Sequence, residues 1–229
     1  MKRIVLGSVL TIVLGSFLAP HESSALSLRL DVGGGPVEVN VGDNGAGDIN
    51  GDTGAIVFTG AVGNFNLNVT TGVSFPQMGS PSQPFMDLNS INQSGGAGGT
   101  LVISLSQQGF TTVPNEAFNA NIGGTTTAGG SISYQTFWDP GNALFAQTNS
   151  LTNSGAITAS PFANARTGLG GGAGPFSLTQ VITITHTAGN RLTSFDAELS
   201  VPEPASVLLL GMALVGLGIW GRRAFRTQS

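Results

Sequence analysis

The sequence predicts an all-β protein whose central domain is an antiparallel β-sandwich, and three observations carry that prediction. Between Leu26 and Ser200 no segment sustains a 3.6-residue apolar period, whereas short stretches of alternating apolar and polar residues recur. Those stretches are bounded by Gly, Asn and Pro, which end strands and build turns. The 229-residue chain holds 35 Gly but only 9% charged residues, so turns are abundant and the surface must be solvated by hydroxyls and amides. A β-solenoid would draw on the same Gly and Asn, yet it needs a fixed period, and none is present. About ten short strands with Gly-rich connections instead fit two packed antiparallel sheets.

The first predicted strands are Leu26–Val32, Val37–Val41, Ile56–Val62 and Phe65–Thr70. In the last of these Phe65, Leu67 and Val69 share one side while Asn64, Asn66, Asn68 and Thr70 share the other, the pattern of a half-buried strand with an amide-lined outer face. Phe85–Ile91, Thr100–Ser106 and Phe118–Ile122 follow, and Leu101, Ile103 and Leu105 alternate with Val102, Ser104 and Ser106. Ser131–Trp138, Phe176–Thr187 and Thr193–Leu199 complete the set. Phe195, Ala197 and Leu199 alternate with Ser194, Asp196 and Glu198, and Gly189-Asn190 predicts a hairpin turn joining the last two strands. Gly95–Gly99 and Gly168–Gly174 read as flexible loops.

Before this domain stand Lys2-Arg3, a run from Ile4 to Ala19, the helix-breaking Pro20 and the small residues Ser23-Ser24-Ala25. A charged start, an apolar run and small residues make residues 1–25 a predicted secretory signal peptide, implying the Sec translocon and signal peptidase as partners. Residues 26–200 then form the exported domain. It holds three basic residues (Arg29, Arg166, Arg191) against ten acidic ones, a formal charge of −7 where the whole chain carries −4. Such a domain cannot neutralise phosphates, which argues against nucleic acid as a partner and against adhesion to anionic lipid by charge. The absence of Cys excludes disulfides and thiolate metal sites.

Residues 201–229 open with Val201-Pro202-Glu203-Pro204, continue as an apolar run from Ala205 to Trp220 and close with Arg222, Arg223 and Arg226. As a helix the run over 205–220 is about 24 Å long, enough to cross most of a hydrocarbon core of about 30 Å. Trp220 suits the interface, and the Arg cluster behind it predicts a cytoplasmic C-terminus with the domain facing outward. Pro202 and Pro204 disfavour helix, leaving Glu203 in an extended, accessible strip.

This motif, Leu/Gly-rich run and Arg cluster closely resemble the PEP-CTERM sorting signal of Gram-negative, exopolysaccharide-producing bacteria. The resemblance implies recognition by exosortase, an integral-membrane cysteine protease or transpeptidase, which removes the tail and releases or transfers the protein outside. Within the domain, Pro84–Ser90, Asp139–Phe145 and Ser177–His186 look like a domain that recurs in front of such tails. That likeness implies a shared fold and nothing about chemistry.

Candidate chemistry is sparse. Asp48, Asn50 and Asp52 occupy the first, third and fifth positions of a calcium loop, but the sixth is Thr53 instead of Gly and the twelfth is Thr59 instead of Glu, so only weak Ca2+ binding is expected and an Asx/Gly turn explains the same residues. Tyr134 and Trp138 are candidates for stacking on sugar rings, against the competing expectation that aromatic residues in a strand are core. Asp196 and Glu198 share the face opposite Phe195 and are expected to be solvated. His186, on the parity of Ile182 and Ile184, reads as a hydrogen-bonded strand-end residue. With no convergent acid, base and nucleophile, the expectation is a non-catalytic surface or matrix protein in a structural or adhesive role. The alternative is a carbohydrate-binding module of the exopolysaccharide matrix.

Overall fold

Two six-stranded antiparallel sheets face one another. The computed structural model describes residues 25–33, 35, 37–202 and 212–215. The signal peptide up to residue 24, Glu203, Pro204, Arg222, Arg223 and Arg226 lie outside the described residues. So does the helix predicted over 205–220, apart from a helical turn at 212–215. No helix among the described residues is long and apolar enough to cross a membrane.

The first sheet runs in the order β2 (Val39–Gly42), β1 (Leu26–Val32), β6 (Gly99–Phe110), β11 (Phe176–His186), β8 (Gly130–Asp139) and β9 (Asn149–Asn153). The second runs β10 (Phe162–Gly170), β7 (Glu116–Thr126), β12 (Arg191–Ser200), β5 (Phe85–Ser94), β4 (Phe65–Val73) and β3 (Ala55–Val62). The alternation read from the sequence sets which side chains meet. Leu28, Leu30, Leu101, Ile103, Leu105, Ile182 and Ile184 face Leu67, Met86, Leu88, Phe118, Ala197 and Leu199, all buried in one cluster. Full burial of each large side chain contributes roughly 1.5–3 kcal/mol, and with no Cys in the chain this interlayer packing replaces covalent staples.

Three expectations are corrected. β11 and β12 are not a hairpin, because they sit in different sheets. The turn between them arches over the sandwich end, with the Thr187 N–H donating to Gly129 C=O (2.9 Å) and the Gly189 N–H to Gly96 C=O (2.7 Å). β9 and β10 add two strands that the sequence does not reveal. Asn149–Asn153 has a single buried apolar residue, Leu151, and β10 is built mostly of small or polar residues. The third correction follows: Gly168 and Gly170 are not a flexible loop but the end of β10. A Cβ at Gly168 would strike the main chain of Leu151, and one at Gly170 would strike the Trp138 ring. Glycine there lets β10 close against β9 along one side of the sandwich.

Candidate functional site

The two outer faces differ. Over the first sheet, residues 139–148 fold back as a strap organised by Asp139. Its carboxylate accepts from the Ala143 N–H (2.9 Å) and the Thr148 hydroxyl (2.7 Å), and these hydrogen bonds hold its pKa below the usual range. The strap is fastened to β6 and β11: the Phe145 N–H donates to Ser106 Oγ (2.9 Å), and Ser177 Oγ donates to Ala143 C=O (2.6 Å). The Arg29 guanidinium lies 3.9 Å from the centre of the Phe145 ring. Ser106, on the outward parity of β6, is buried beneath it, and Ser104 on the same parity is buried as well.

Among the described residues the outer face of the second sheet has no such cover, and its middle is a groove of about 550 Å³. Register builds it. On β12, Glu198 pairs with Asp87 of β5 on one side and Asn121 of β7 on the other, while Asp196 pairs with Asn89 and Gly123. Across β7, Asn121 and Gly123 pair with Ala165 and Ala163 of β10. The result is a shallow trough with a floor of Gly and Ala and walls of carboxylates and amides. Asp87 is pushed up to about 6, first by burial and then by the hydrogen bond to Asp196 and its charge, with Glu198 adding further repulsion. Glu198 accepts a hydrogen bond from the Ser200 hydroxyl at 2.7 Å.

Asp196 and Glu198 are thus brought together with a third carboxylate, Asp87, that the sequence does not flag. Its parity within Phe85–Ile91 puts it outside, opposite the buried Met86 and Leu88. Only the β5–β12 pairing, which joins segments a hundred residues apart in the chain, makes it a neighbour.

The other candidates fall elsewhere. Tyr134 is 2% exposed, and its hydroxyl bonds to Gln180 Oε1 (2.8 Å) and the Glu198 main-chain oxygen (3.1 Å) inside the sandwich. It presents no face to a sugar, which corrects the stacking expectation for this residue. Trp138 is half-buried and packs edge-on against Phe176 at 6.1 Å, so the pair forms no platform. His186 is buried, its Nε2 2.8 Å from Thr193 Oγ1, as its parity predicts. Burial and the charge of Arg191 lower its pKa.

Around Asp48, Asn50 and Asp52 the oxygens serve the main chain. Asp48 Oδ1 accepts from the N–H groups of Asn50 (2.9 Å) and Val57 (3.0 Å), Asp48 Oδ2 from Asn44 (3.0 Å), and Asn50 Oδ1 from Asp52 (3.1 Å). The Ile49 N–H donates to Val57 C=O (2.9 Å), so the loop covers the free edge of β3. Among the described residues no group of three or more His, Cys, Asp or Glu is arranged to hold a metal ion.

At the C-terminal end, Val201 still packs on the domain, its N–H donating to Pro84 C=O at 3.1 Å, and Pro202 is exposed. The family model of the PEP-CTERM protein-sorting motif matches residues 200–223, so the chain carries this motif directly after β12. No curated protein matches the sequence. Among solved structures, the adhesin domain of Epf from Streptococcus pyogenes is similar at 7% identity and a TM-score of 0.41, covering 77% of this chain. The chain spans 57% of the length of that structure. TmCBM61 in complex with β-1,4-galactotriose is similar at 11% identity and a TM-score of 0.31, covering 62% of this chain and 92% of the other. The K1 cleaved adhesin domain of Lys-gingipain from Porphyromonas gingivalis has 11% identity and a TM-score of 0.30, covering 65% and 97%. Likeness this distant leaves the function of this chain to its own residues.

Proposed function

We propose that this is an exported protein, processed at its tail by exosortase, that ends at the cell surface or in the extracellular matrix in a structural or adhesive, non-catalytic role. The observation that carries the reading is the sorting motif over residues 200–223, abutting the last core strand. The other end of the domain supports it. Leu26, the first residue of β1, is buried, and Ala25 C=O accepts from the Gln108 N–H at 3.3 Å. Removal of residues 1–25 by signal peptidase after Sec export therefore leaves every strand intact and loses only that Ala25 hydrogen bond. The test is Glu203→Ala in the producing cell. The variant should keep its tail in the membrane fraction while the wild type loses it by intact mass; a wild type that keeps its tail overturns the reading.

A second reading, a carbohydrate-binding module of the exopolysaccharide matrix, is favoured by the groove itself. Carboxylates and amides supply acceptors and donors for sugar hydroxyls, and Gly123 leaves the floor open. Titration of the exported protein with the producer's own polysaccharide should give binding that Asp196→Asn with Glu198→Gln removes. Absence of binding at millimolar sugar sinks it.

A further inference from the structure

We propose that the core contains a binding site for one structural water, held between His186, Asn92 and Ser94 at the end of the sandwich away from the tail. Three side chains carry this. Asn92, Ser94 and His186 are 0%, 1% and 3% exposed, and Asn92 Nδ2, Ser94 Oγ and His186 Nδ1 each lack a partner in the protein. Buried polar atoms are rarely left so, and three that meet at one place call for a shared partner.

The strands bring them together. His186, on β11, is flanked in its own sheet by Gly99 and Gly130, neither of which has a side chain to offer Nδ1. Its ring reaches across to the second sheet, where Nε2 lies 2.8 Å from Thr193 Oγ1 on β12 and the ring centre 5.4 Å from that of Phe65 on β4. β5 runs between those two strands. On it Asn92 pairs with Thr193 and Ser94 with Phe65, so both stand under the imidazole. The inward side chains of β5 change along the strand from Met86 and Leu88 to Ser90, Asn92 and Ser94. With packed sheets about 10 Å apart, a serine opposite an imidazole does not fill the interlayer space as a leucine would.

The polarity of the three atoms suits water. Ser90 Oγ donates to Asn92 Oδ1 (2.9 Å), which leaves Nδ2, a donor, as the free end of the amide. Water accepts from Nδ2, donates to His186 Nδ1 and shares a hydrogen bond with Ser94 Oγ, and about three such bonds are typical of a buried water. With Nδ1 bare, the imidazole proton is on Nε2, which donates to Thr193, and the Thr193 hydroxyl donates onward to Thr126 Oγ1 (2.7 Å). The water thereby sets the tautomer of His186 and the direction of the hydrogen-bond chain that ties β11 to β12 and β7.

Nuclear magnetic resonance of the isotope-labelled full chain in detergent at neutral pH tests this. The imidazole nitrogens of His186 should show a bare Nδ1 and a protonated Nε2, and the Asn92 side-chain amide should cross-relax with a water resident for nanoseconds or longer. That signal should persist in Ser94→Ala, which keeps the site open, and fall several-fold in Ser94→Val, whose methyl groups fill it. A wild type protonated at Nδ1, or one without the water signal, overturns the proposal whether or not Ser94→Val folds. A signal lost in Ser94→Ala comes from an exchanging hydroxyl, and one undiminished in folded Ser94→Val comes from elsewhere; either result overturns it as well.

Discussion

The hydroxyl of Tyr134, on the first sheet, lies 3.1 Å from the main-chain oxygen of Glu198 on the second, so the chain's single tyrosine bridges the two layers directly behind the groove. A hydroxyl has one proton. The contacts are best satisfied with the Gln180 amide turned so that its otherwise unpartnered Nε2 donates to Tyr134 and the phenolic proton goes to Glu198. Tyr134→Phe should therefore cost about 1–2 kcal/mol in urea unfolding by stranding buried polar groups. Sugar binding by the folded protein should be unchanged; lost binding at unchanged stability would restore a ligand role for Tyr134.

Much of the sandwich is legible in the sequence, because strands such as Thr100–Ser106 and Thr193–Leu199 alternate cleanly between a core side and a solvent side. What fails is long-range. Nothing local announces that β11 and β12 belong to different sheets, or that Asp87 stands beside Glu198. β10 is hidden for a different reason: Gly168 is selected by the backbone of β9 and Gly170 by the side chains of Leu151 and Trp138, neighbours that no sequence window contains. The strap over 139–148 likewise covers Ser106, which alternation alone assigns to solvent.

Stability should show two opposed pH dependences. Asp87 has a folded pKa of about 6 against an ordinary 3.8, so between these values the folded state holds more protons than the unfolded one and stability falls as pH rises. His186 is depressed instead: as pH falls through about 6.5 the unfolded state takes up a proton that the folded state resists, and stability falls on acidification. Asp87→Asn should remove the first dependence and raise stability at pH 7 by on the order of 1 kcal/mol, after allowance for the solvent reaching this half-buried group. Urea midpoints from pH 4 to 8 for both proteins check this; superimposable profiles overturn it.

Adjacent glycines on β7 should behave oppositely. A Cβ at Gly123 meets only Phe162 O at 3.7 Å, whereas one at Gly124 collides with the Ser194 oxygen and the Phe162 ring. Gly123→Ala should hold or raise stability by up to about 1 kcal/mol, and Gly124→Ala should lower it by about 2–4 kcal/mol. Gly123→Val should also weaken glycan binding by filling the groove floor. Thermal melts and a sugar titration distinguish these outcomes.

Asp48 should matter to the domain without metal. Asp48→Ala frees the Val57, Asn50 and Asn44 amides and should cost about 1–2 kcal/mol. Calcium in excess is expected to leave the melting temperature of the wild type unchanged, since a bound ion would have to take oxygens from those amides. A melting temperature that climbs with calcium concentration would establish binding.

The tail continues β12, and β12 is not an edge strand: β5 and β7 flank it along most of its length. A pull along the tail, whether from a membrane or from a polymer to which the processed end is joined, loads both ladders in shear, so many hydrogen bonds must fail together instead of opening one by one. The attachment point is thus a strand held on both sides, and drag on the domain would strain the tether before it unravels the fold.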